Sequence, residues 1–325
     1  MSETRPLVLD VDGTFLRTDL LYESFWAGMG KDPAGVLRSC ARHFGERQVL
    51  KQKLAQIADL RTDLMPVHPG VADMVAKAQA AGREVVLASA SDSALVEKLA
   101  KEHELSERVF ASTPEANLKG AAKAGALVAA YGERGFDYAG NEPVDRAIWD
   151  HAGGAVVVGD LPKEVAGLRQ AGKEITQIEG GWTYRDLMRA LRPHQWVKNV
   201  LLFVPLIAAH TFDPASWAWV LLGIAAFSAA ASSIYIVNDL LDLEADRLHA
   251  SKHKRPFASG AVPIKVGMLA FLGLSCFALG VGAIIGTGFM ALVAFYMSCR
   301  WPIRCALSGS AGSTSRFWPH FILCG

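Results

Sequence analysis

Leu7-Val8-Leu9-Asp10-Val11-Asp12-Gly13-Thr14 is the stretch on which the fold of the first half of this chain turns. Three consecutive apolar residues read as a short buried strand, and two carboxylates follow with a glycine behind them. Glycine lets the backbone turn there, so both carboxylates can face one site. Outward from this point the pattern predicts strand 7–10, a helical insert at about 18–62, helix 70–81 and strand 84–89. It continues with helix 92–102, strand 108–111, helix 119–131, strand 136–139, helix 143–151 and strand 154–158. Short apolar strands alternating with helices predict a parallel sheet with helices on both faces, an α/β Rossmann-like domain. In such sheets the ligand site lies at the carboxyl ends of the strands.

The polar groups fall at those ends. Asp10 and Asp12 follow the first strand, Ser89 ends the second, Lys119 opens a helix, and Gly140-Asn141-x-x-x-Asp145 follows strand 136–139. Phosphate-ester hydrolysis needs these types: a carboxylate nucleophile, an acid for the leaving oxygen, a cation on the phosphoryl oxygens and carboxylates for Mg²⁺. A different use of such carboxylates is as helix caps, in a domain without activity. Gly159-Asp160 offers a rival metal-binding position, but no acid follows it at the right spacing and Asp145 would then be unexplained.

Composition divides the chain. Over 325 residues, 33 Lys and Arg face 32 Asp and Glu, a net charge of +1 that gives no bias toward nucleic acid. Residues 1–198 are charged and mixed, whereas 199–297 are mostly apolar. The polar N-terminus has no cleavable signal peptide. Cys40, Cys276, Cys299, Cys305 and Cys324 show no zinc spacing and read as reduced thiols.

Trp217 to Val237 carries no charge and has the length of one bilayer-spanning helix. Val266 to Met297 is also uncharged and long for one span, with a break offered at Gly280, Gly282, Gly286 and Gly288. Asn199 to Thr211 is apolar but short and contains Pro205. Arg185, Arg189, Arg192 and Lys198 lie before the first apolar run, and Arg247, Lys252, Lys254, Arg255 and Lys265 lie between the long ones. The positive-inside rule therefore puts the N-terminal half and the 239–265 loop in the cytoplasm, in an integral protein of the plasma membrane.

At the inner end of the first long span stands Asn238-Asp239-x-x-Asp242-x-x-x-Asp246. Three- and four-residue spacing puts Asp239, Asp242 and Asp246 on one helical face, where like charges repel and a cation would relieve them. Mg²⁺ takes one or two carboxylates plus phosphate oxygens, and Arg247, Lys252, Lys254 and Arg255 are near to steady phosphates. The bland alternative is a solvated, charge-rich helix end.

The ordered set Asp-x-Asp-Gly-Thr, Ser89, Lys119 and Gly140-Asn141-x-x-x-Asp145 resembles the haloacid dehalogenase-like (HAD) hydrolases over roughly residues 6–178. The resemblance implies Asp10 as nucleophile and Asp12 as general acid/base. It implies that Ser89 and Lys119 hold the phosphoryl group, that Asp10, the Asp12 carbonyl and Asp145 hold Mg²⁺, and that the insert at 18–62 is a substrate-selecting cap. Asn141 stands where the family usually has Asp, which leaves a carbonyl oxygen for the metal but no charge.

The downstream half resembles the UbiA prenyltransferase superfamily. The matching pieces are Leu191-Arg192-Pro193-x-Gln195-Trp196-x-Lys198-Asn199, the aspartate motif and Arg255-Pro256-Phe257-Ala258-Ser259-Gly260. The first is most similar to the branch that transfers phosphoribosyl groups to decaprenyl phosphate. The resemblance implies an all-α transmembrane domain in which Asn238, Asp239, Asp242 and Asp246 bind Mg²⁺–diphosphate while Lys198 and Arg255 contact phosphates. Its partners would be a polyprenyl phosphate or prenyl diphosphate lipid. The HAD half would take a phosphorylated small molecule.

The expected organisation is a HAD-like domain at 1–180, the first helices of a UbiA-like domain at 181–297 and an aberrant tail at 298–325 with no Asp or Glu. The family has more helices and a second aspartate-rich motif, so a truncated, impaired transferase is expected. Three readings compete: a HAD–UbiA fusion transferase, a membrane-anchored phosphatase working only at Asp10, and a non-catalytic module that pairs with a fuller transferase.

Overall fold

The computed structural model describes residues 5–113, 117–210 and 212–300; the expected tail lies almost wholly outside them. Strand β1 (Leu7–Asp10) is followed by the insert, whose helices are α1 (Leu20–Lys31), α2 (Pro33–Arg42) and α3 (Arg47–Ala58). Then come α4 (Pro69–Ala80), β2 (Val85–Asp92), α5 (Ser93–Glu102), β3 (Val109–Ser112), α6 (Ala121–Tyr131) and β4 (Asp137–Gly140). A 3₁₀ turn at Pro143–Asp145 leads into α7 (Arg146–Trp149), so the helix expected at 143–151 is split and short. The series closes with β5 (Gly154–Val158), α8 (Pro162–Gln170) and β6 (Glu174–Ile178).

All six strands are parallel, in the order β3-β2-β1-β4-β5-β6. Strand order reverses at β1: the chain runs outward through β2 and β3, then crosses to β4 on the other side. The carboxyl ends of β1 and β4 therefore flank the topological switch point, where ligands bind in open α/β sheets. Both faces of the sheet are covered. Leu7 and Leu9 pack on one side with Leu87, Val96 and Val156, and Val8 on the other with Val86, Tyr138 and Trp149. That is why the strands read as continuous apolar runs. Strand β6 was not foreseen, because most of Glu174–Ile178 is exposed at the sheet edge.

Downstream lie α9 (Tyr184–Leu191), a 3₁₀ segment at Pro193–Phe203, and α10 (Val204–Ala208). The apolar stretch from Asn199 thus forms no spanning helix. Helix α11 (Pro214–Leu241) starts where the Asp213 carboxylate accepts from the Ser216 N–H and Pro214 occupies the first turn. After α12 (Leu243–Leu248) come α13 (Ile264–Ile285) and α14 (Thr287–Arg300), separated at Gly286. The glycine break expected in the last apolar run is thereby found. Helices α11 and α13 are long and apolar enough to cross a membrane. Leu269, Leu272 and Phe277 of α13 stand exposed, the surface a lipid-facing helix presents.

The two halves share a core. Trp26 of α1 is buried with Ile236 and Leu240 of α11, Phe257 and Ile264. Burying side chains of this size contributes roughly 1.5–3 kcal/mol each, so the helical insert is packed onto α11 and the segment leading into α13.

Candidate active sites

Asp10 ends β1, and its Oδ1 lies 2.6 Å from the Lys123 Nζ. Lys123 also donates to the Ala88 carbonyl and to the Tyr138 hydroxyl, both at 3.1 Å. Tyr138 in turn donates to Asp145 Oδ1 at 3.1 Å, while Asp145 Oδ2 accepts the backbone N–H groups of Asn141 and Glu142. This tail of bonds turns Asp145 back under Gly140 and toward Asp10. Burial pushes the Asp10 carboxyl up to about 7; Lys123 opposes this, while Asp145 and Asp12 add to it. Burial works against the charge on Lys123, yet Asp10 and Asp145 outweigh it and its pKa is raised. Burial, with Asp10 and Asp145 beside it, holds the Tyr138 phenol well above its ordinary value, so it remains the donor.

Asp12 lies on the other side of the switch point. Its Oδ1 accepts the Leu20 N–H at 2.7 Å, the first residue of α1, and its Oδ2 accepts from Ser91 at 2.8 Å and Ser89 at 3.3 Å. A carboxylate at a helix N-terminus is favourably placed. Gly13 has φ +77°, and a Cβ there would strike the Asn141 side chain, so the turn between the two motifs requires glycine. Thr14 Oγ1 donates to Asn141 Oδ1 at 3.1 Å.

One expected residue lies away from the others. Lys119 is exposed on the loop before α6, because that helix begins at Ala121 after Gly120 (φ +54°). Lys123, one turn further on, is buried and is the lysine that reaches Asp10. It had a signal: it is the lone charge in Ala121-Ala122-Lys123-Ala124-Gly125-Ala126-Leu127 and shares the buried face with Ala124 and Leu127. Ser89 is fully buried, and its oxygen accepts the Ser91 N–H; Ser91 is the nearer hydroxyl to Asp12.

Two residues of the insert were also missed. Lys51 of α3 reaches across to donate to the Ala90 carbonyl at 2.6 Å. Burial lowers its pKa, with Asp12 and Asp19 opposing. Asp19, the N-cap of α1, is pushed up to about 7 by burial and by Asp12. No spacing rule links these positions to Asp10; only the packing of the insert does.

Whether Mg²⁺ suits this place follows from its charges. Asp10, Asp12 and Asp145 are gathered around Lys123, and burial first, with Asp145 and Asp12 adding to it, raises the Asp10 pKa. Asp10 and Asp145 supply two carboxylates, within the one or two that Mg²⁺ takes. Among the described residues no cluster of three or more metal-ligating side chains is gathered, so Mg²⁺ here would rest on these two carboxylates together with phosphate oxygens, and when bound would neutralise phosphoryl charge.

At the membrane site, Arg192 follows α9 with φ +53°. Its guanidinium lies 2.6 Å from Asp239 and stacks over the Tyr235 ring at 4.9 Å. Arg255 Nη1 lies 2.7 Å from Asp246 and 3.2 Å from Asp239. Asp239 and Asp246 are both buried at 2% exposure, and they converge on one cationic nitrogen. The Arg255 guanidinium fills that point of convergence. Asp242 caps the end of α11 and Asn238 lies one turn before it on the helix. Lys198 is exposed on the 3₁₀ segment, so Arg192, rather than Lys198, stands beside Arg255 at the aspartates.

The model of the haloacid dehalogenase-like hydrolases matches residues 7–148, and that of the UbiA prenyltransferase family matches 200–300. The chain is a HAD–UbiA fusion. An uncharacterized protein, y4nM, from Sinorhizobium fredii is 34% identical over 298 residues, covering 90% of this chain and 57% of the relative. A decaprenyl-phosphate phosphoribosyltransferase from Corynebacterium glutamicum is 39% identical over 116 residues, 35% of this chain and 33% of the relative. The fusion thus spans 57% and 33% of these two relatives' lengths. A HAD family hydrolase from Salmonella enterica serovar Typhi aligns over 55% of this chain and 70% of its own, at 14% identity and TM-score 0.40. The α/β unit is the HAD part and the apolar helices belong to a membrane-integral family, so both halves come from enzyme families.

Proposed function

We propose that the HAD unit hydrolyses a phosphate monoester at Asp10, on a platform held in the plasma membrane with the HAD unit on the cytoplasmic side. The observation that carries this reading is the Asp10–Lys123 pair at the switch point, with Asp145 behind it and Asp12 held apart on the first insert helix. Asp10 attacks phosphorus in line, the ester oxygen leaves with a proton from Asp12, and water activated by Asp12 then cleaves the aspartyl-phosphate. Lys123, Ser89 and Ser91 surround the place where phosphoryl oxygens would lie; Asn141 and Asp145, with Asp10 and the Asp12 carbonyl, would hold Mg²⁺. Residues 18–62 would form the cap, 1–180 the HAD domain and 181–297 the membrane domain.

The test uses the full chain in detergent with Mg²⁺ and a panel of phosphate monoesters. Metal-dependent phosphate release that disappears in Asp10→Asn is expected. Release that persists in that variant would refute the assignment.

A second reading, transfer of a prenyl or phosphoribosyl group from an Mg²⁺-bound diphosphate, is favoured by one further observation. Leu191 and Pro193, either side of Arg192, line an apolar groove of about 770 Å³ with Trp196, Leu221, Ile224 and Phe277. A polyprenyl chain would lie there with its phosphate toward Arg192 and Arg255, beside Asp239, Asp242 and Asp246. Diphosphate release by membranes holding this chain, lost in Asp246→Asn, would support it.

A further inference from the structure

The structure assigns a second role to the loop between α12 and α13: we propose that it is a clasp on the hinge of the HAD insert, released when the aspartate motif is occupied. This inference rests on the reading of the aspartate motif as a diphosphate site.

Two chain segments join the insert to the sheet. They are held together where Leu16 bridges Val67 and the Arg17 N–H donates to the Pro66 carbonyl at 2.8 Å. A free insert would open by bending there. Gly260 of the membrane loop is seated directly on this hinge. A Cβ at Gly260 would lie 2.6 Å from the Arg17 Cβ, 2.8 Å from the Arg17 carbonyl and 3.1 Å from Pro66, and Gly260 has φ +67°. No other residue fits so close an approach.

Helix α12, to which the loop is tied, also grips the insert beyond the hinge. Glu23 of α1 is buried, and both its oxygens are bound by Arg247, Oε2 at 3.1 Å from Nη1. Thr18, at the hinge, donates to Glu23 Oε1 at 2.6 Å. Arg247 Nε donates in turn to the Ala258 carbonyl at 3.1 Å. A buried pair that loses one partner leaves an uncompensated charge, so pulling the insert away from this loop is costly.

The same loop is tied to the aspartate motif. Arg255 bridges Asp239 and Asp246, and its carbonyl accepts the Ser259 N–H at 3.0 Å, one residue before Gly260. Arg247 directly follows Asp246. A Mg²⁺–diphosphate entering between Asp239 and Asp246 competes with Arg255 for their oxygens and offers that arginine phosphate oxygens instead. Moving Arg255 moves the turn that seats Gly260. The ligand thus distinguishes the clasped from the unclasped loop, which is what a population shift requires.

The experiment is hydrogen exchange of the full chain in detergent micelles, read at residues 14–20 and 64–68. In Glu23→Gln without ligand, exchange there rises by about tenfold while α8 is unchanged; Gly260→Ala, a second route to the same contact, does the same. Unchanged hinge exchange in both variants overturns the clasp. Mg²⁺ with inorganic diphosphate raises hinge exchange in the wild type and in Asp10→Asn, and has no effect in Asp246→Asn. No response in the wild type overturns the coupling. So does a response kept in Asp246→Asn and lost in Asp10→Asn, which would place the ligand in the HAD site. Because the readout is exchange, absence of phosphatase or transferase turnover would count against the proposed function without deciding this one.

Discussion

At the scale of the residue, a single buried ammonium lies against Asp10 in the HAD unit. Lys123 is buried among Asp10, the Ala88 carbonyl and Tyr138, whereas Lys119 stands in solvent. Lys123→Ala is therefore expected to cut phosphate release by about 10²- to 10³-fold, the order found when a preorganised charge donor is removed, and Lys119→Ala by less than about threefold on the same reasoning. Equal losses in the two variants, measured as kcat/KM, would show the assignment to be wrong. Asp10 makes a second prediction. Its pKa stands raised in the folded protein, from 3.8 to about 7. Between those values the native state binds more protons than the unfolded one, so this group's contribution is complete below 3.8 and lost as pH rises through about 7. Asp10→Asn removes that loss. In EDTA the variant should gain Tm over the wild type at pH 8 and not at pH 4, and a pH-independent difference would refute it. Saturating Mg²⁺ should shrink the gain, since a bound cation would compensate the buried carboxylate's charge.

At the scale of the element, α1 carries three duties. Its N-terminal amide holds Asp12, Glu23 meets Arg247, and Trp26 is buried against α11 and the loop before α13. One helix thus holds Asp12 in place and joins the two units. Trp26→Ala should cost about 3–5 kcal/mol, the usual range for deleting a buried Trp. The loss should appear as a lower Tm of the full chain in detergent. A change within error would mean that the interface between the units does not hold this helix. The long helices have a simpler logic: α11 is capped by Asp213 and Pro214 at one end and stops at Asp242 at the other, so its uncharged middle matches a bilayer core.

At the scale of the whole molecule, the two acidic signatures meet through one loop although more than half the chain separates them. Glu23 and Arg247 are 224 residues apart and form a buried pair. The fusion is therefore a single packed body, in which the HAD unit rests on the long apolar helices through its insert. Expressed in bacteria, the chain should stay with the membrane pellet after an alkaline carbonate wash; release into the supernatant would refute the reading of α11 and α13 as spanning helices.

The sequence by itself determined the strand–helix alternation, the carboxylates at the switch point, the uncharged spans and the break before α14. Each of these is a local property: apolar period, glycine at a turn, or length without charge. Tertiary structure alone decided which lysine lies against Asp10, that Asp19 and Lys51 of the insert come close to Asp12, and that Arg192 and Arg255 pair with the buried aspartates. It also decided that Gly260 rests on the hinge at Arg17 and Pro66. These depend on where a helix begins to within one turn and on contacts between segments far apart in the chain. A one-turn error in the start of α6 moves a side chain from solvent to the centre of the sheet, and no periodicity in a single sequence distinguishes the two.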